Sequence, residues 1–271
     1  MNNSKRSVDF CLLIPCYNNI GGLLASLKTV YYKPNQFLTV IVDDGSSKSL
    51  TEGDIAEKTT EGFPFVLLRN ERNLGITAAL NKGLDWISEE VNTKYIARLD
   101  CGDLCHTERF SLQVNYMEEH PETGLLGSWC RFEEKDGSGG YSYKTPVEHK
   151  DIARAMYSRN VFIHPTVMFR TDLLKKTGLY PSKYKYVEDY ALFWKMIKCE
   201  QSSILDKFLV TCEINPAGLS MKNKKKQLSG RWKVVRDFGT DRFLKLLAFL
   251  RLKILTVMPK GLALQLKKRR K

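Results

Sequence analysis

Short apolar runs alternate with helical segments along the N-terminal part of the chain, and this alternation limits the fold more than any other feature. The apolar runs are Phe10–Pro15, Phe37–Val42, Phe63–Leu68 and Tyr95–Leu99. Between them, Gly21–Tyr32 and Gly75–Ile87 carry apolar residues at helical spacing. Strands that alternate with helices are typical of βαβ units. The sequence therefore predicts an α/β fold with a mostly parallel central sheet.

The order of segments changes beyond residue 105. Apolar patterns there predict helices at Arg109–His120 and Val187–Lys198 and strands at Gly124–Phe132, Tyr141–Tyr143 and Val167–Arg170. We interpret residues 1–221 as one domain with two halves, about 1–105 and 106–221. Residues 222–271 are a separate tail, because they hold 17 of the chain's 43 Lys and Arg but two of its 30 Asp and Glu.

Polar turns follow three of the predicted strands directly. They are Pro15-Cys16-Tyr17-Asn18, Asp43-Asp44-Gly45-Ser46 and Asp100-Cys101-Gly102-Asp103. Each by itself is compatible with an ordinary turn. In open α/β sheets, however, ligands bind at the carboxyl ends of the strands. Three such turns at one edge of one sheet therefore predict a ligand site.

Acidic residues in these turns have both a functional and a structural interpretation. Asp100 and Asp103 offer the oxygen ligands that Mg²⁺ or Mn²⁺ binds together with substrate phosphates, or they form an Asx turn before a helix. Asp43 and Asp44 can accept hydrogen bonds from a ribose or base, or form a solvated turn. Neither G-x-G-x-x-G nor G-x-x-x-x-G-K-[ST] occurs in the sequence, which argues against NAD(P) and P-loop binding.

A second acidic pair, Glu188-Asp189, begins a predicted amphipathic helix in the other half of the domain. Acidic residues in a first helical turn interact favourably with the helix dipole, and this alone can explain them. Alternatively, such a carboxylate can act as a general base that takes the proton from a reacting hydroxyl.

Seven cysteines are scattered along the chain. The polar stretch Met1–Asp9 lacks the pattern of a secretory signal, so we expect a cytoplasmic protein with reduced thiols packed as small apolar side chains. Cys101 and Cys105 have the spacing of half a zinc site, but no second Cys/His pair accompanies them.

Taken in order, these segments resemble glycosyltransferase family 2, which has the Rossmann-like GT-A fold. The resemblance runs from about Val8 to Leu219. It rests on Ile14–Asn18, Val42–Ser46, Asn73–Gly75, Ala79–Gly83, Ala97–Asp103, Arg109 with Gln113, His164–Phe169 and Glu188–Leu192. This resemblance implies a nucleotide-sugar-binding half at about 1–105 and an acceptor-binding half at 106–221.

The resemblance also implies roles for individual residues. Tyr17, Asp43 and Asp44 would hold the uracil and ribose of a UDP-sugar, and Arg72 and Asn73 would contact the nucleotide. Other residues of the nucleotide-sugar site would be Pro15, Asn18, Gly75, Arg98 and Asp100.

The acceptor half would carry the catalytic residues. Asp189 would be the general base in a single displacement that inverts the anomeric carbon, and Glu188 would order the acceptor. His164 and Trp129 would lie on the acceptor side; for His164, a packed side chain before Pro165 is the equally weighted alternative.

The sequence departs from the family pattern in its metal motif. Members commonly have carboxylates at the first, third and fourth positions, whereas the third position here is Gly102. A divalent cation, Mn²⁺ or Mg²⁺, would then depend on Asp100 and Asp103. The segment Gln227–Trp232 resembles the Q-x-x-R-W of processive polysaccharide synthases but is one residue longer, and the membrane-spanning segments of those enzymes are not apparent.

The tail combines positive charge with an apolar segment. At ~100° per residue, Arg242, Lys245, Lys253 and Lys260 gather on one side of a helix and Arg251 lies opposite. Such a helix, followed by the five charges of Lys267–Lys271, is typical of attachment to an anionic membrane surface. The alternatives are a helix that packs on the domain, or nucleic-acid binding, for which no recognisable module is present.

The resemblance implies a UDP-sugar transferase with a glycan or lipid-linked acceptor of surface-polysaccharide biosynthesis. The basic tail predicts a position at the inner face of the plasma membrane, with no nucleic-acid partner. A sugar-phosphate nucleotidyltransferase is one rival, but it requires a Gly-rich loop where Pro15–Asn18 stands. A catalytically weak membrane-associated binding protein with the same fold is the other, and Gly102 is its support.

Overall fold

A computed structural model describes residues 5–215 and 223–257. The strands are β1 (Arg6–Cys16), β2 (Phe37–Asp43), β3 (Phe65–Arg69), β4 (Val91–Arg98), β5 (Leu104–Cys105), β6 (Thr123–Glu133), β7 (Gly140–Tyr143), β8 (Met168–Arg170) and β9 (Gln201–Glu213). The helices are α1 (Ile20–Leu27), α2 (Glu52–Ala56), α3 (Ile76–Glu90), α4 (Arg109–Glu119), α5 (His149–Met156), α6 (Leu173–Thr177), α7 (Glu188–Cys199), α8 (Lys224–Phe238) and α9 (Arg242–Val257).

One sheet runs through the described part of the domain in the order β3-β2-β1-β4-β8-β6-β9-β5, with β7 paired to β6. β3, β2, β1 and β4 are mutually parallel, and β6 and β9 are also parallel. Strand β8 lies antiparallel between β4 and β6 and so joins the two halves. The predicted α/β fold is confirmed.

The central strands are covered on both faces, which explains their continuous apolar runs. Cys11 and Leu13 of β1 belong to one core cluster, whereas Leu12 and Ile14 belong to the other. Successive side chains of a strand point to opposite faces. Helix α3 packs closely on the first face, because a Cβ on Gly83 would lie 2.3 Å from Leu13 Cδ1.

The cysteines form no disulfide within the described ranges, which include all seven of them. Five are buried, Cys101 is half-buried and Cys199 is exposed. Burial raises the pKa of the Cys11 thiol to about 12, so this side chain stays neutral and packs as an apolar group.

The C-terminal helices pack on the domain. Val234 and Val235 of α8 are buried in the core cluster that includes α7. Trp232 of α8 contacts Phe249 of α9 with ring centroids 5.1 Å apart. No helix within residues 5–215 and 223–257 is long and apolar enough to span a bilayer. Lys260 and Lys267–Lys271, which the tail prediction includes, lie outside the described residues.

The two faces of α9 differ from the predicted pattern, because apolar residues occupy both. Ala248 and Leu252 are buried against the domain. On the opposite face lies a row of exposed apolar side chains, here called the α9 stripe: Phe243, Leu246, Leu247, Leu250 and Ile254. These residues are 45–66% exposed and recur at i, i+3, i+4, i+7 and i+11, so they form one continuous line.

Candidate functional site

Hydrogen bonds join the turns that follow β1 and β2. The backbone N–H of Asp44 donates to the Cys16 carbonyl at 2.8 Å. The N–H of Asn18 donates to Ser46 Oγ at 2.8 Å, and the N–H of Ser47 donates to Asn18 Oδ1 at 2.8 Å. The predicted site residue Asn18 therefore holds the two turns together.

Pro15 and Tyr17 lie at the same edge of the sheet. Pro15 pairs in register with Val42 of β2. The side chain of Tyr17 is 49% exposed, although the strand before it is buried. An exposed aromatic ring offers a flat face on which a nucleotide base can stack.

Asp44 is buried and organises the loop after β3. Its carboxylate accepts hydrogen bonds from Asn70 Nδ2 at 2.7 Å and from the backbone N–H groups of Leu74 and Gly75 at 3.0 and 2.8 Å. Gly75, with φ 91°, is the N-cap of α3. Both oxygens of Asp44 are engaged inside the protein, so its contact with a ribose stays a prediction.

Asp43 is also buried and stabilises the turn after β2. It pairs with the guanidinium of Arg69 at the end of β3. The same carboxylate accepts the Ser46 N–H at 3.0 Å, while Arg69 Nη2 donates to the Ser46 carbonyl at 3.0 Å. This is the geometry of a turn-stabilising residue, and a nucleotide contact by Asp43 stays a prediction.

Arg72 and Asn73 are exposed and face solvent beside this turn. Their backbone packs on Gly45, where an added Cβ would lie 2.4 Å from the Arg72 carbonyl carbon. Gly45 also has φ 71°, which disfavours other residues. The glycine thus allows the loop to approach the strand ends.

Arg98 is fully buried at the end of β4 and connects the two halves of the domain. Its guanidinium donates to Asp100 Oδ1 at 2.6 Å, to His164 Nε2 at 3.2 Å and to the Leu99 carbonyl at 3.1 Å. It also donates to the Leu13 carbonyl of β1. These partners enclose the guanidinium, so in this arrangement Arg98 positions other groups rather than facing a ligand.

The predicted metal ligands Asp100 and Asp103 have different surroundings. The side chain of Asp100 is 36% exposed. Asp103 is buried, and its Oδ1 accepts the Glu213 N–H at 2.9 Å. Desolvation, followed by the negative charge of Asp100, raises the pKa of Asp103 to about 8.

No group of three or more His, Cys, Asp or Glu side chains that could hold a metal occurs in the described parts of the chain. A magnesium-type cation, however, needs one or two carboxylates when substrate phosphates complete its coordination. The accessible carboxylate of Asp100 fits that requirement, whereas Asp103 is enclosed.

Gly102 explains why the third motif position lacks a carboxylate. Its φ is 102°, and its N–H donates to Ser26 Oγ at 2.9 Å. A Cβ at this position would lie 3.2 Å from Glu213 Oε2. The loop in this shape therefore disfavours an aspartate through backbone strain, and the Glu213 side chain would have to shift slightly to admit it.

Asp189 and Glu188 begin α7 and lie in an unusual electrostatic environment. Desolvation raises the pKa of Asp189, and Asp100 adds to this effect while the Tyr190 N–H and Arg231 oppose it. Desolvation, followed by the charge of Asp189, raises the pKa of Glu188 to about 7. Carboxylates with raised pKa values are typical of general bases.

The two carboxylates differ in access. Asp189 is half-buried, and its Oδ2 accepts a hydrogen bond from Asn160 Nδ2 at 2.9 Å. Glu188 is buried, and its Oε2 finds no hydrogen-bond partner among the described residues. Asp189 is therefore the carboxylate that an acceptor hydroxyl can reach more directly.

His164 and Trp129, the two residues predicted on the acceptor side, have different contact partners. His164 Nε2 accepts from Arg98 and is 2.8 Å from the Tyr180 hydroxyl. Desolvation and the charge of Arg98 lower its pKa well below the usual range, so the imidazole is neutral at pH 7. Trp129 Nε1 donates to the Thr145 carbonyl at 2.9 Å, and its ring packs 5.6 Å from that of Phe208.

Sequence reasoning missed Asn160, Tyr180 and the position of Arg231. Asn160 and Tyr180 carry no motif signal. Arg231 belongs to the segment set aside as a near match to the processive synthases. That segment lies on α8, where a Cβ at Gly230 would stand 2.7 Å from Val187 Cγ2, immediately before Glu188.

Together, these contacts bring the polar strand ends of one half close to the acidic pair of the other. The charge of Asp100 raises the pKa values of both Glu188 and Asp189, after the larger effect of desolvation. The arrangement places the strand edge with Tyr17, the accessible carboxylate of Asp100 and the half-buried Asp189 in one region.

Comparisons with known proteins identify glycosyltransferases that are similar to this chain. Residues 11–178 match the family model described as Glycosyl transferase family 2. The amylovoran biosynthesis glycosyltransferase AmsE of Erwinia amylovora is 32% identical over 193 residues, which cover 69% of each chain. A UDP-Gal:alpha-D-GlcNAc-diphosphoundecaprenol beta-1,3-galactosyltransferase of Escherichia coli is 33% identical over 128 residues, or 47% of this chain and 44% of the relative.

Solved structures share the fold at lower identity. The structure of S. aureus TarS 1–349 in complex with UDP-GlcNAc superimposes on this chain with a TM-score of 0.68 at 21% identity. The match covers 95% of this chain and 76% of that one. The mannosyltransferase PcManGT of Pyrobaculum calidifontis, in complex with GDP-Man and Mn²⁺, gives a TM-score of 0.63 at 16% identity, covering 94% and 72%.

Proposed function

The chain belongs to Glycosyl transferase family 2, and we propose that it moves a hexosyl or N-acetylhexosaminyl group from a UDP-sugar to an acceptor hydroxyl with inversion at the anomeric carbon. One observation carries this proposal. The half-exposed Asp189 has a raised pKa and lies within the electrostatic reach of Asp100, at the end of the strand edge where a nucleotide would bind.

The proposed reaction follows from the positions of the side chains. Asp189 accepts the proton of the acceptor hydroxyl, and Asn160 holds its carboxylate through Oδ2. The freed oxygen forms a bond to the anomeric carbon while the bond from that carbon to the diphosphate oxygen breaks. Both electrons of the broken bond leave with UDP, and the attack from the opposite face inverts the configuration.

A divalent cation, Mn²⁺ or Mg²⁺, would neutralise the charge of the departing diphosphate when bound. Asp100 is the residue that would hold it, because its carboxylate is accessible and Arg98 fixes its orientation. PcManGT, which shares the fold, was solved in complex with GDP-Man and Mn²⁺.

UDP is the proposed nucleotide and a lipid-linked glycan the proposed acceptor. TarS was solved with UDP-GlcNAc, and the E. coli relative is named for a UDP-Gal donor and a diphosphoundecaprenol acceptor. Attachment of the tail to an anionic membrane would keep the enzyme at the inner face of the plasma membrane, where such acceptors lie.

The direct test is turnover of a panel of UDP-sugars with and without Mn²⁺. We expect transfer to a lipid-linked acceptor with the anomeric configuration opposite to that of the donor, which NMR of the product determines. Retention of configuration would contradict the proposed mechanism. Release of neither UDP nor product from any donor would favour the binding-protein alternative.

Asp100→Ala should remove the effect of Mn²⁺ on UDP affinity. In the unaltered chain we expect Mn²⁺ to tighten UDP binding roughly tenfold, because cation, diphosphate and carboxylate share one site. Calorimetric titration with and without Mn²⁺ measures the difference. If Asp103→Asn removed the effect and Asp100→Ala did not, the metal would depend on Asp103 instead.

Leu250→Asp should weaken binding to vesicles of anionic lipid about tenfold or more. Leu250 lies in the middle of the α9 stripe and is 49% exposed, so the change leaves the core intact. Burying one leucine in the membrane interface is worth about 1.5–3 kcal/mol, and 1.4 kcal/mol is a factor of ten. Vesicle co-sedimentation measures binding.

Tyr31→Asp is the matched control, because Tyr31 is 52% exposed and lies outside α9. It should bind vesicles as the unaltered chain does. Raising the salt from 0.1 to 1 M should weaken the binding of both, since the Debye length falls from ~10 to ~3 Å. Equal binding by Leu250→Asp and the control would contradict a membrane role for the stripe.

A further inference from the structure

A groove of about 560 Å³ lies between α5 and α9. Its walls are largely apolar and include Ala155 of α5 with Leu244, Leu247 and Ala248 of α9. None of the residues given a role in the proposed reaction lines this groove, so the ligand that the groove could bind is a separate question. An open apolar groove of this size fits part of a lipid chain rather than a sugar.

Two arginines contribute positive charge to the groove lining. Arg154 of α5 and Arg251 of α9 line it, and Arg154 is exposed. Asp151, one turn before Arg154, is also part of the lining, so the rim is basic by one charge overall. Arginine pairs bind phosphate oxygens well, because each guanidinium presents two parallel donors.

The groove is continuous with the α9 stripe. Leu247 lines the groove and is 45% exposed as a member of the stripe. A lipid held between α5 and α9 can therefore extend along the stripe into the membrane interface that the proposed function assigns to this face. No reorganisation of the helices is required for this path.

The groove lining also includes a residue close in sequence to the hydrogen-bond partner of the proposed base. Ser158 lines it, and Asn160, which holds Asp189, follows two residues later. Two residues of extended chain span at most about 7 Å. On the inner side of α5, the Met156 carbonyl accepts a hydrogen bond from the Tyr190 hydroxyl, next to Asp189.

We propose that this groove binds the lipid diphosphate of the acceptor, with the first isoprenoid units on the apolar wall and the diphosphate oxygens on Arg154 and Arg251. The sugar attached to the diphosphate then reaches past Ser158 towards Asp189. This inference rests on the proposed lipid-linked acceptor and adds the place where the acceptor is held.

Equilibrium binding of farnesyl diphosphate to the full chain, in the absence of UDP-sugar, tests the proposal. Inorganic diphosphate and farnesol serve as probes that carry the charge or the chain alone. We expect farnesyl diphosphate to bind at least ~10-fold more tightly than either, because charge and apolar contact act together. Arg154→Glu should weaken its binding at least ~10-fold.

Lys150→Glu is the matched control, since it makes the same charge change on an exposed residue of α5 outside the groove. It should leave farnesyl diphosphate binding within about twofold of the unaltered chain, well under the tenfold step of 1.4 kcal/mol. Ala155→Phe tests the apolar wall of the groove. It should weaken the binding of farnesyl diphosphate and change the melting temperature no more than Lys150→Glu does.

The outcomes separate this proposal from the proposed function. Equal weakening by Arg154→Glu and Lys150→Glu, or inorganic diphosphate binding as tightly as farnesyl diphosphate, would overturn the groove assignment. Transfer to a soluble acceptor analogue reports the glycosyltransferase activity independently. If that transfer were absent while the binding pattern held, the proposed reaction would fail and the lipid-diphosphate groove would stand.

Discussion

Asp189→Asn should lower the rate of sugar transfer at least ~100-fold while leaving UDP affinity and the melting temperature close to those of the unaltered chain. General-base catalysis contributes about 10²–10⁴-fold, and an amide cannot accept the proton of the acceptor hydroxyl. The asparagine has nearly the same shape and still meets Asn160, so the first turn of α7 should persist. Initial rates with a saturating UDP-sugar measure the effect.

The pH dependence should identify the same group. A base works when it is deprotonated, so kcat/KM should rise with pH and level off above the pKa of the acidic pair, which is about 7 for Glu188 and raised for Asp189. Because the two carboxylates interact, the observed midpoint belongs to the pair. Glu188→Gln removes one negative neighbour and should move the midpoint to lower pH.

Near-normal transfer by Asp189→Asn would remove Asp189 from the mechanism. A ~100-fold loss in Glu188→Gln at the same time would make Glu188 the base. In that case the unpartnered Oε2 of Glu188 would be the atom that takes the proton.

Arg98→Leu should lower the free energy of unfolding by about 3–5 kcal/mol. The substitution leaves the buried Leu99 carbonyl without its side-chain donor and the Leu13 carbonyl with the 3.4 Å bond from the Leu99 N–H, and each unsatisfied buried group costs about 1–3 kcal/mol. It also removes the partner of Asp100 and a hydrogen bond to His164. Urea unfolding measures the loss.

The free energy of unfolding of Arg98→Lys should lie between those of Arg98→Leu and the unaltered chain, because an ammonium keeps the charge but has three donors instead of five. Arg236→Leu is the control: Arg236 is 57% exposed and pairs with Asp237, and such surface pairs are worth about 1 kcal/mol or less. If Arg98→Leu cost no more than Arg236→Leu, the buried network would not stabilise the junction of the two halves.

Much of the fold follows from the sequence because β2 and the apolar parts of β1 and β4 are buried on both faces and read as apolar runs. Strand β9 was not predicted, although it is 13 residues long. Asp206 and Lys207 interrupt its apolar residues, and its alternating burial breaks in the middle of the strand, where the pairing with β6 shifts register. Pairing partners that are distant in the chain determine such a strand, and local periodicity does not record them.

The site could be predicted in part for a similar reason. Its polar turns follow strand ends directly, so the general position of the ligand edge was predictable. The internal partners of Asp43 and Asp44 were not, because Arg69 and Leu74 approach through the packing of β3 and its loop. Asn160 donates a hydrogen bond to Asp189, and the charge of Arg231 lowers the pKa of Asp189. Both residues lie on other segments, and no spacing rule connects residues so far apart.

The hydrogen bond from the Glu213 N–H to Asp103 has a consequence for the order of synthesis. It joins residues 110 positions apart, and it is made by the last residue of β9. A ribosome must therefore release β9 before the Asp100–Asp103 loop has its final support, even though β1 to β4 emerge much earlier. Long-range pairings of this kind form late and slowly. A nascent chain that ends before β9 would expose the edge of β6 to other unfolded chains.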